Sequence, residues 1–169
     1  MRPAALEISD HAGMNLMHHA ARKLDLEVLR ALLATHGHLV NTYTHFNRSP
    51  GHWTPLQCVI ELPATTGKYV EAIVMELLPG MTVEAILSKT STDTSALHQA
   101  VQRGHASIVD MLCRHVWFYF NNSLTYFLQS INGKGFSPLD LASTCYNGPI
   151  YKTLRSYGAD HVRSSASWK

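Results

Sequence analysis

Hydrophobic and polar positions follow one pattern that occurs four times along the chain. Each copy begins with a small polar residue, continues with Pro or a substitute, then Leu or Met, then a polar residue, and leads into apolar residues at helical spacing. The four openings are Asn15-Leu16-Met17-His18, Thr54-Pro55-Leu56-Gln57, Ser95-Ala96-Leu97-His98 and Ser137-Pro138-Leu139-Asp140. A side-chain oxygen followed by Pro is a helix-start signal, because the oxygen accepts a backbone N–H and Pro needs no hydrogen bond there. Each opening therefore predicts the first turn of a helix.

The third copy predicts a pair of helices joined by a tight turn. Leu97 and Ala100 mark the first helix, Gly104 permits the turn, and Ile108 and Leu112 mark the second helix. The first copy continues in the same way through Val28-Leu29 and Leu32-Leu33, and the fourth ends in Tyr157-Gly158-Ala159-Asp160.

This pattern resembles the ankyrin repeat, whose signature is T-P-L-H-x-A, from about Gly13 to Asp160. The resemblance implies an all-α solenoid of about four helix-turn-helix repeats with extended finger loops. It also implies that His18 and His98 bond to backbone between repeats. The expected division is a capping segment at 1–12, a repeat domain at 13–160 and a C-terminal tail at 161–169. The repeats are expected at about 13–41, 51–80, 93–116 and 135–160.

The repeats are longer than the family period. Met17, Leu56, Leu97 and Leu139 are 39, 41 and 42 residues apart, whereas the ankyrin period is about 33. We expect the extra length at 62–67 and in fingers at 41–52, 80–92 and 116–134. The last segment contains VWFYF and LTYFLQSI, which are typical of short strands or a helix packed on the stack. Its aromatic residues either join the core, or an elongated hairpin, or face a partner.

Composition and charge narrow the classes of partner that the protein can bind. The formal net charge is +2, from Lys+Arg 14 against Asp+Glu 12, so the charge balance does not favour nucleic acid or anionic lipid as a partner. Apolar stretches are interrupted well before the length of a membrane span.

Three scattered cysteines do not form a disulfide framework and favour a reducing compartment. We therefore expect a cytoplasmic protein, with the nucleus as a second location, or one in the host-cell cytoplasm if it is a viral or bacterial effector. The initiating Met1 and the Ser-rich end favour a complete chain.

Candidate catalytic and metal-binding residues do not form a site in the sequence. His36 and His38 have no third ligand at a suitable spacing. Cys58 and Cys113 are better explained as small buried residues, and Cys145, placed in the first helix of the fourth repeat, is left open. We expect no enzyme activity, no cofactor and no metal.

The resemblance implies that partner contacts lie on the concave face and the finger tips. The positions concerned precede each N-cap or lie near the end of each first helix. They are Met14, Arg22, Lys23, Trp53, Glu61, Thr94, Gln102, Arg103, Phe136 and Thr144. Large apolar and Arg residues anchor many interfaces, so Trp53, Phe136, Arg22 and Arg103 are the expected hot spots. The alternative for Trp53 is packing on the first finger.

These observations predict a protein–protein interaction module, monomeric when free, that acts as a regulator or competitive inhibitor. The long, irregular fingers resemble those of inhibitors of Rel-type (NF-kappaB) transcription factors, including viral mimics and bacterial effectors that act in host cells. The alternative is a substrate-recruiting domain of a larger enzyme, such as a ubiquitin ligase or a methyltransferase.

Overall fold

The computed structural model describes residues 8–44, 52–63 and 67–161. Apart from turns and one isolated β-bridge between Lys89 and Ser95, the secondary structure in these ranges is helical. The α-helices are α1 (Leu16–Lys23), α2 (Leu26–His36), α3 (Pro55–Ile60), α4 (Gly67–Leu77), α5 (Val83–Leu87), α6 (Ala96–Arg103), α7 (Ala106–Tyr119), α8 (Asn121–Gln129), α9 (Pro138–Thr144) and α10 (Gly148–Ser156). Short 3-10 helices follow α2 and α4, at Gly37–Asn41 and Leu78–Gly80.

The four predicted helix starts are present. Asn15, Thr54, Ser95 and Ser137 are the N-caps of α1, α3, α6 and α9, and each side chain accepts a backbone N–H from three residues further on. In the last three, the side chain at that third position bonds back to the N-cap backbone. Each cap contributes about 1 kcal/mol to helix stability.

The helices form two layers. α1, α3, α6 and α9 stack in order as an inner layer, and α2, α4, α7 and α10 pack beside them as an outer layer. Gly104 ends α6 with a φ of 76°, a left-handed conformation that lets its N–H reach the carbonyls of Ala100 and Val101. The fold is therefore the predicted all-α solenoid of helix-turn-helix repeats.

One hydrophobic core runs between the two layers. Met17, Leu56, Leu97 and Leu139, the third residues of the four openings, are all fully buried. Each repeat is too small to bury its own apolar face, so its stability depends on its neighbours.

The extra length after the second and third repeats is largely helical rather than loop. α5 lies in the segment at 80–92 and buries Ala85 and Ile86. In the segment at 116–134, α7 continues to Tyr119 and α8 packs on α7 and α9, burying Phe127 and Leu128. The aromatic segment is thus divided: Phe127 belongs to the core, whereas the aromatic residues at the end of α7 are exposed.

A segment whose two ends are joined by a backbone hydrogen bond, hereafter a finger, precedes each inner helix. The N–H of its first residue donates to the carbonyl of its last residue in the pairs Asp10–Met14, Thr44–Trp53, Thr90–Thr94 and Asn132–Phe136. A side-chain oxygen of the first residue also accepts the N–H of the last. The extra residues of the first junction fall between Thr44 and Trp53, and 45–51 lie outside the described residues, as do 64–66 and most of the predicted capping segment and tail.

Candidate protein-binding surface

Hydrogen bonds between repeats hold the backbone carbonyl of the residue that precedes the N-cap of the next repeat. Nε2 of His18 lies 3.0 Å from the carbonyl oxygen of Trp53, and Nε2 of His98 lies 3.1 Å from that of Phe136. A carbonyl oxygen can only accept, so each imidazole donates in these bonds. The predicted role of His18 and His98 is confirmed.

Gln57 makes the corresponding hydrogen bonds in the second repeat. Its Nε2 donates to the carbonyls of Ser88, at 3.3 Å, and Thr94, at 3.5 Å. The carbonyls of Trp53, Thr94 and Phe136 are therefore all held by the preceding repeat. Three of the predicted contact positions have a backbone fixed in this way.

The His98 bond depends on an uncharged ring. Burial lowers the pKa of His98 from 6.5 to about 4, although its bond to Phe136 opposes the shift. The ring is therefore neutral at pH 7. Its Nδ1, 2.7 Å from the Ser95 hydroxyl, accepts that proton while Nε2 donates to Phe136.

The third and fourth fingers meet the inner layer at a polar cleft of about 580 Å³. Two predicted site residues, Thr94 and Gln102, line this cleft together. The other lining residues are Ser91, Thr92, Asp93, Asn132, Gly133 and Lys134. Hydroxyls, amides, a carboxylate and an ammonium group can all exchange hydrogen bonds with a partner segment that enters the cleft.

A backbone hydrogen bond of Gly133 joins the third and fourth fingers. Its N–H donates to the carbonyl of Thr92 at 3.1 Å, and a Cβ at this position would lie 2.8 Å from that oxygen. Only glycine permits this approach without displacement of backbone. The two fingers therefore form one unit.

An ion pair joins the second and third repeats on the inner surface, which we define as the fingers together with the exposed ends of α1, α3, α6 and α9. The guanidinium of Arg103 pairs with the carboxylate of Glu61, and both side chains are partly exposed. The Nε2 of Gln99 also lies 3.5 Å from Glu61. Glu61 and Arg103 are therefore neutralised by each other, and Arg103 is oriented before any partner arrives.

Gln99 is a candidate that the sequence interpretation missed. It is 3% exposed, and its Oε1 has no hydrogen-bond partner among the described residues. This acceptor is too deeply buried for a partner to reach, so Gln99 contributes to the surface through the contact of its amide nitrogen with Glu61. The sequence signal that could have identified Gln99 is its place between His98 and Ala100, at the variable position of the motif.

The first repeat gives the inner surface a basic end. Arg22 and Lys23 are exposed in the last turn of α1. Nη1 of Arg22 lies 4.0 Å from Sδ of Met14. Met14 itself is only 8% exposed. Its thioether packs inside the first repeat, so little of this predicted contact residue is accessible in the free protein.

Trp53 and Phe136 are half-buried rather than projecting. The backbone N–H of Trp53 donates to the Thr44 hydroxyl at 3.1 Å, which ties it to the second finger, and Phe136 packs against the core. Thr144 is exposed at the end of α9, where its hydroxyl donates to the Leu141 carbonyl. Cys145 lies one residue beyond α9 and is exposed, not inside the helix as expected.

The buried thiols are held in their neutral form. Burial raises the pKa of Cys58 to about 12, against a smaller opposing effect of the Arg22 charge, and burial also raises the pKa of Cys113. In residues 8–44, 52–63 and 67–161, His, Cys, Asp and Glu do not form a group of three or more that could hold a metal ion. No helix in the same ranges has the length and apolarity needed to cross a membrane.

Comparison with known families agrees with the geometry. Residues 92–117, which comprise the end of the third finger, α6 and most of α7, match the family model described as Ankyrin repeat. No curated protein matches the chain. Together with the two-layer helical stack, this match over part of the chain supports the ankyrin repeat family. Ankyrin repeats are general protein–protein interaction modules.

Proposed function

We propose that this protein binds another protein on its inner surface. The observation that carries the proposal is the cleft between the third and fourth fingers, where Thr94 and Gln102 meet. It lies between repeats, so it exists only in the folded stack. A partner loop in this cleft would exchange water for fixed hydrogen-bonding groups at little ordering cost.

Charge is distributed unevenly along the inner surface. Glu61 and Arg103 neutralise each other near its middle, whereas Arg22 and Lys23 add positive charge at the first repeat. A partner whose segment is polar at the third and fourth fingers and acidic near α1 fits this arrangement.

The mode of action that we propose is occupation of a partner surface rather than catalysis. A compact stack of this kind regulates by competing with another ligand for that surface. The specific partner class we propose is a Rel-type (NF-kappaB) dimer, because the lengthened junctions between repeats resemble those of Rel inhibitors. Such a role places the protein in the cytoplasm or nucleus, of a host cell if it is a pathogen protein.

Gel filtration tests the partner class directly. We expect the purified chain to co-elute one to one with a Rel-homology-domain dimer. Separate elution of the two at micromolar concentration would remove the Rel proposal while leaving protein binding intact.

An affinity capture with matched variants tests the binding surface itself. The test variant combines Lys23→Glu with Gln102→Glu on the inner surface, and the control combines Lys68→Glu with Gln129→Glu on α4 and α8; all four side chains are exposed. Both variants must show the circular dichroism and melting temperature of the wild type. Mass spectrometry of proteins captured from a eukaryotic lysate should show a set that is lost only with the test variant. Equal capture by both variants contradicts the proposed surface.

A further inference from the structure

Three consecutive aromatic residues project from the outer layer. Phe118 and Tyr119, here called the aromatic ridge, lie in the last turn of α7 and are 69% and 64% exposed, whereas Trp117, 54% exposed, faces a separate cleft with Leu124 and Tyr157. The ridge is ordered by ring contacts: Phe118 lies 4.8 Å from Tyr119, and Tyr119 lies 4.7 Å from His115, centroid to centroid. The proposed protein-binding surface does not use these residues.

An apolar groove runs along the ridge. It has a volume of about 370 Å³ and lies between α4 and α7. Its lining includes Met75, Leu78, Met111, Arg114, Phe118 and Tyr119. The two ridge residues also form a wall of the groove, so an apolar projection and an apolar depression lie side by side on one face.

We propose that this outer face binds a second copy of the chain, as a two-fold symmetric dimer in which the aromatic ridge of each copy occupies the apolar groove of the other. A symmetric interface of this type requires one patch that carries both complementary parts, because each copy must give and receive the same contacts. The ridge and the groove meet that requirement. Thioethers such as those of Met75 and Met111 adapt well to aromatic rings.

The charges around the groove favour a like partner over a strongly charged one. Arg114 is ion-paired with Asp110, which also accepts the hydroxyl proton of Tyr157 at 2.8 Å. Burial lowers the pKa of His115, so its ring is neutral at pH 7. The face thus carries one compensated pair of charges, and a second copy meets no net repulsion across it.

The apolar area available on this face determines the expected strength of the dimer. An aromatic side chain covers about 150–250 Å², so Phe118, Tyr119 and Met75, each more than half exposed, offer roughly 400 Å² on each copy. Two copies then bury on the order of 800 Å², the size of a weak, transient interface. The dimer is therefore weak and depends on protein concentration, in contrast to the free monomer expected from the sequence.

Sedimentation equilibrium over a concentration series tests the dimer. The variants are Phe118→Ser, which removes one ring of the ridge, and Trp117→Phe, which leaves the ridge and the groove intact. The control is Tyr146→Ser, because Tyr146 is 96% exposed in the turn between α9 and α10 and does not line the groove. Unchanged circular dichroism confirms the fold of each variant.

We expect the wild type, Trp117→Phe and Tyr146→Ser to shift from monomer to dimer across the micromolar range. We expect Phe118→Ser to weaken dimerisation at least tenfold. A wild type that stays monomeric throughout overturns the proposal, and its flotation with phosphatidylcholine vesicles would assign the ridge to lipid. A dimer unaffected by Phe118→Ser overturns it as well. None of these outcomes bears on partner binding at the inner surface, which lies on the other layer.

Discussion

The imidazole of His98 binds the carbonyl oxygen of Phe136 at 3.1 Å, which joins the third repeat to the finger of the fourth. His18 and Gln57 make the corresponding bonds to Trp53 and Thr94. The side chains that hold the stack together therefore also fix the backbone of residues on the candidate surface. Changes at these positions are expected to affect stability and partner binding together.

Replacement of His98 tests this coupling. We expect His98→Ala to lower the free energy of unfolding by about 1–3 kcal/mol, because it leaves the Phe136 carbonyl and the Ser95 hydroxyl without their buried partner. His98→Gln should lose less, since Gln57 makes the same bond in the second repeat. Urea denaturation at pH 7 measures both values, and equal losses would contradict the hydrogen-bond explanation.

The buried ring of His98 also predicts a pH dependence. Its pKa is about 4 in the folded protein, against 6.5 for a histidine free of such burial, so below pH 6.5 the unfolded chain takes up a proton that the folded chain does not. The free energy of unfolding should therefore fall as pH decreases from 6.5 to 4, by about 2 kcal/mol at pH 5. His115, whose pKa is also lowered by burial, adds to the same trend.

The pH effect of His98 is isolated by comparison with His98→Gln, which has no titrating group there. Denaturation curves at pH 7 and pH 5 should show a smaller loss of stability for the variant than for the wild type. The same loss in both proteins would show that other groups cause the acid sensitivity.

The core position Leu97 predicts a larger effect. Leu97 is fully buried in α6 between the third repeat and its neighbours. Leu97→Ala should cost about 2–5 kcal/mol through loss of apolar contacts and formation of a cavity. Thermal denaturation measures the loss, and Leu16→Ala, at a 38% exposed position of α1, is the control that should change stability far less.

The Glu61–Arg103 pair should matter for binding more than for folding. Its side chains are 34% and 43% exposed, and exposed pairs contribute at most about 1 kcal/mol to stability. Arg103→Ala should therefore leave the melting temperature nearly unchanged while it weakens capture of a partner. A large fall in melting temperature with normal capture would assign Arg103 a structural role instead.

The three thiols should react at very different rates. Cys145 is exposed, whereas Cys58 and Cys113 are buried with raised pKa values. A thiol reagent such as dithionitrobenzoate should modify one cysteine rapidly in the native protein and all three in denaturant. Cys145→Ser should abolish the rapid phase, and its persistence in that variant would contradict the placement of these residues.

Local chemistry made much of the fold predictable. An N-cap oxygen, Pro at the first helical position and a buried Leu act within one or two turns, so Thr54, Pro55 and Leu56 identify their helix without knowledge of its neighbours. The inter-repeat bonds of His18 and His98 followed from the family resemblance.

Other features depend on contacts between distant residues, so the sequence did not decide them. The helical form of α8 depends on packing of Phe127 and Leu128 against α7 and α9, which the aromatic run alone could not distinguish from a strand or a finger. Met14 occupies a position that is half-buried in the other repeats, yet its unbranched side chain is buried in the first repeat. The candidate surface was therefore predicted by position, while the orientation of individual side chains was not.

The close approach of Gly133 to the Thr92 carbonyl has a consequence for affinity. Two fingers that are bonded to each other lose little conformational entropy when a ligand holds either one, because their relative motion is already restricted. Gly133→Ala would separate them, and the partner would then have to order each finger independently. The entropic cost of recognition on this side of the molecule is thus already met during folding, by a residue without a side chain.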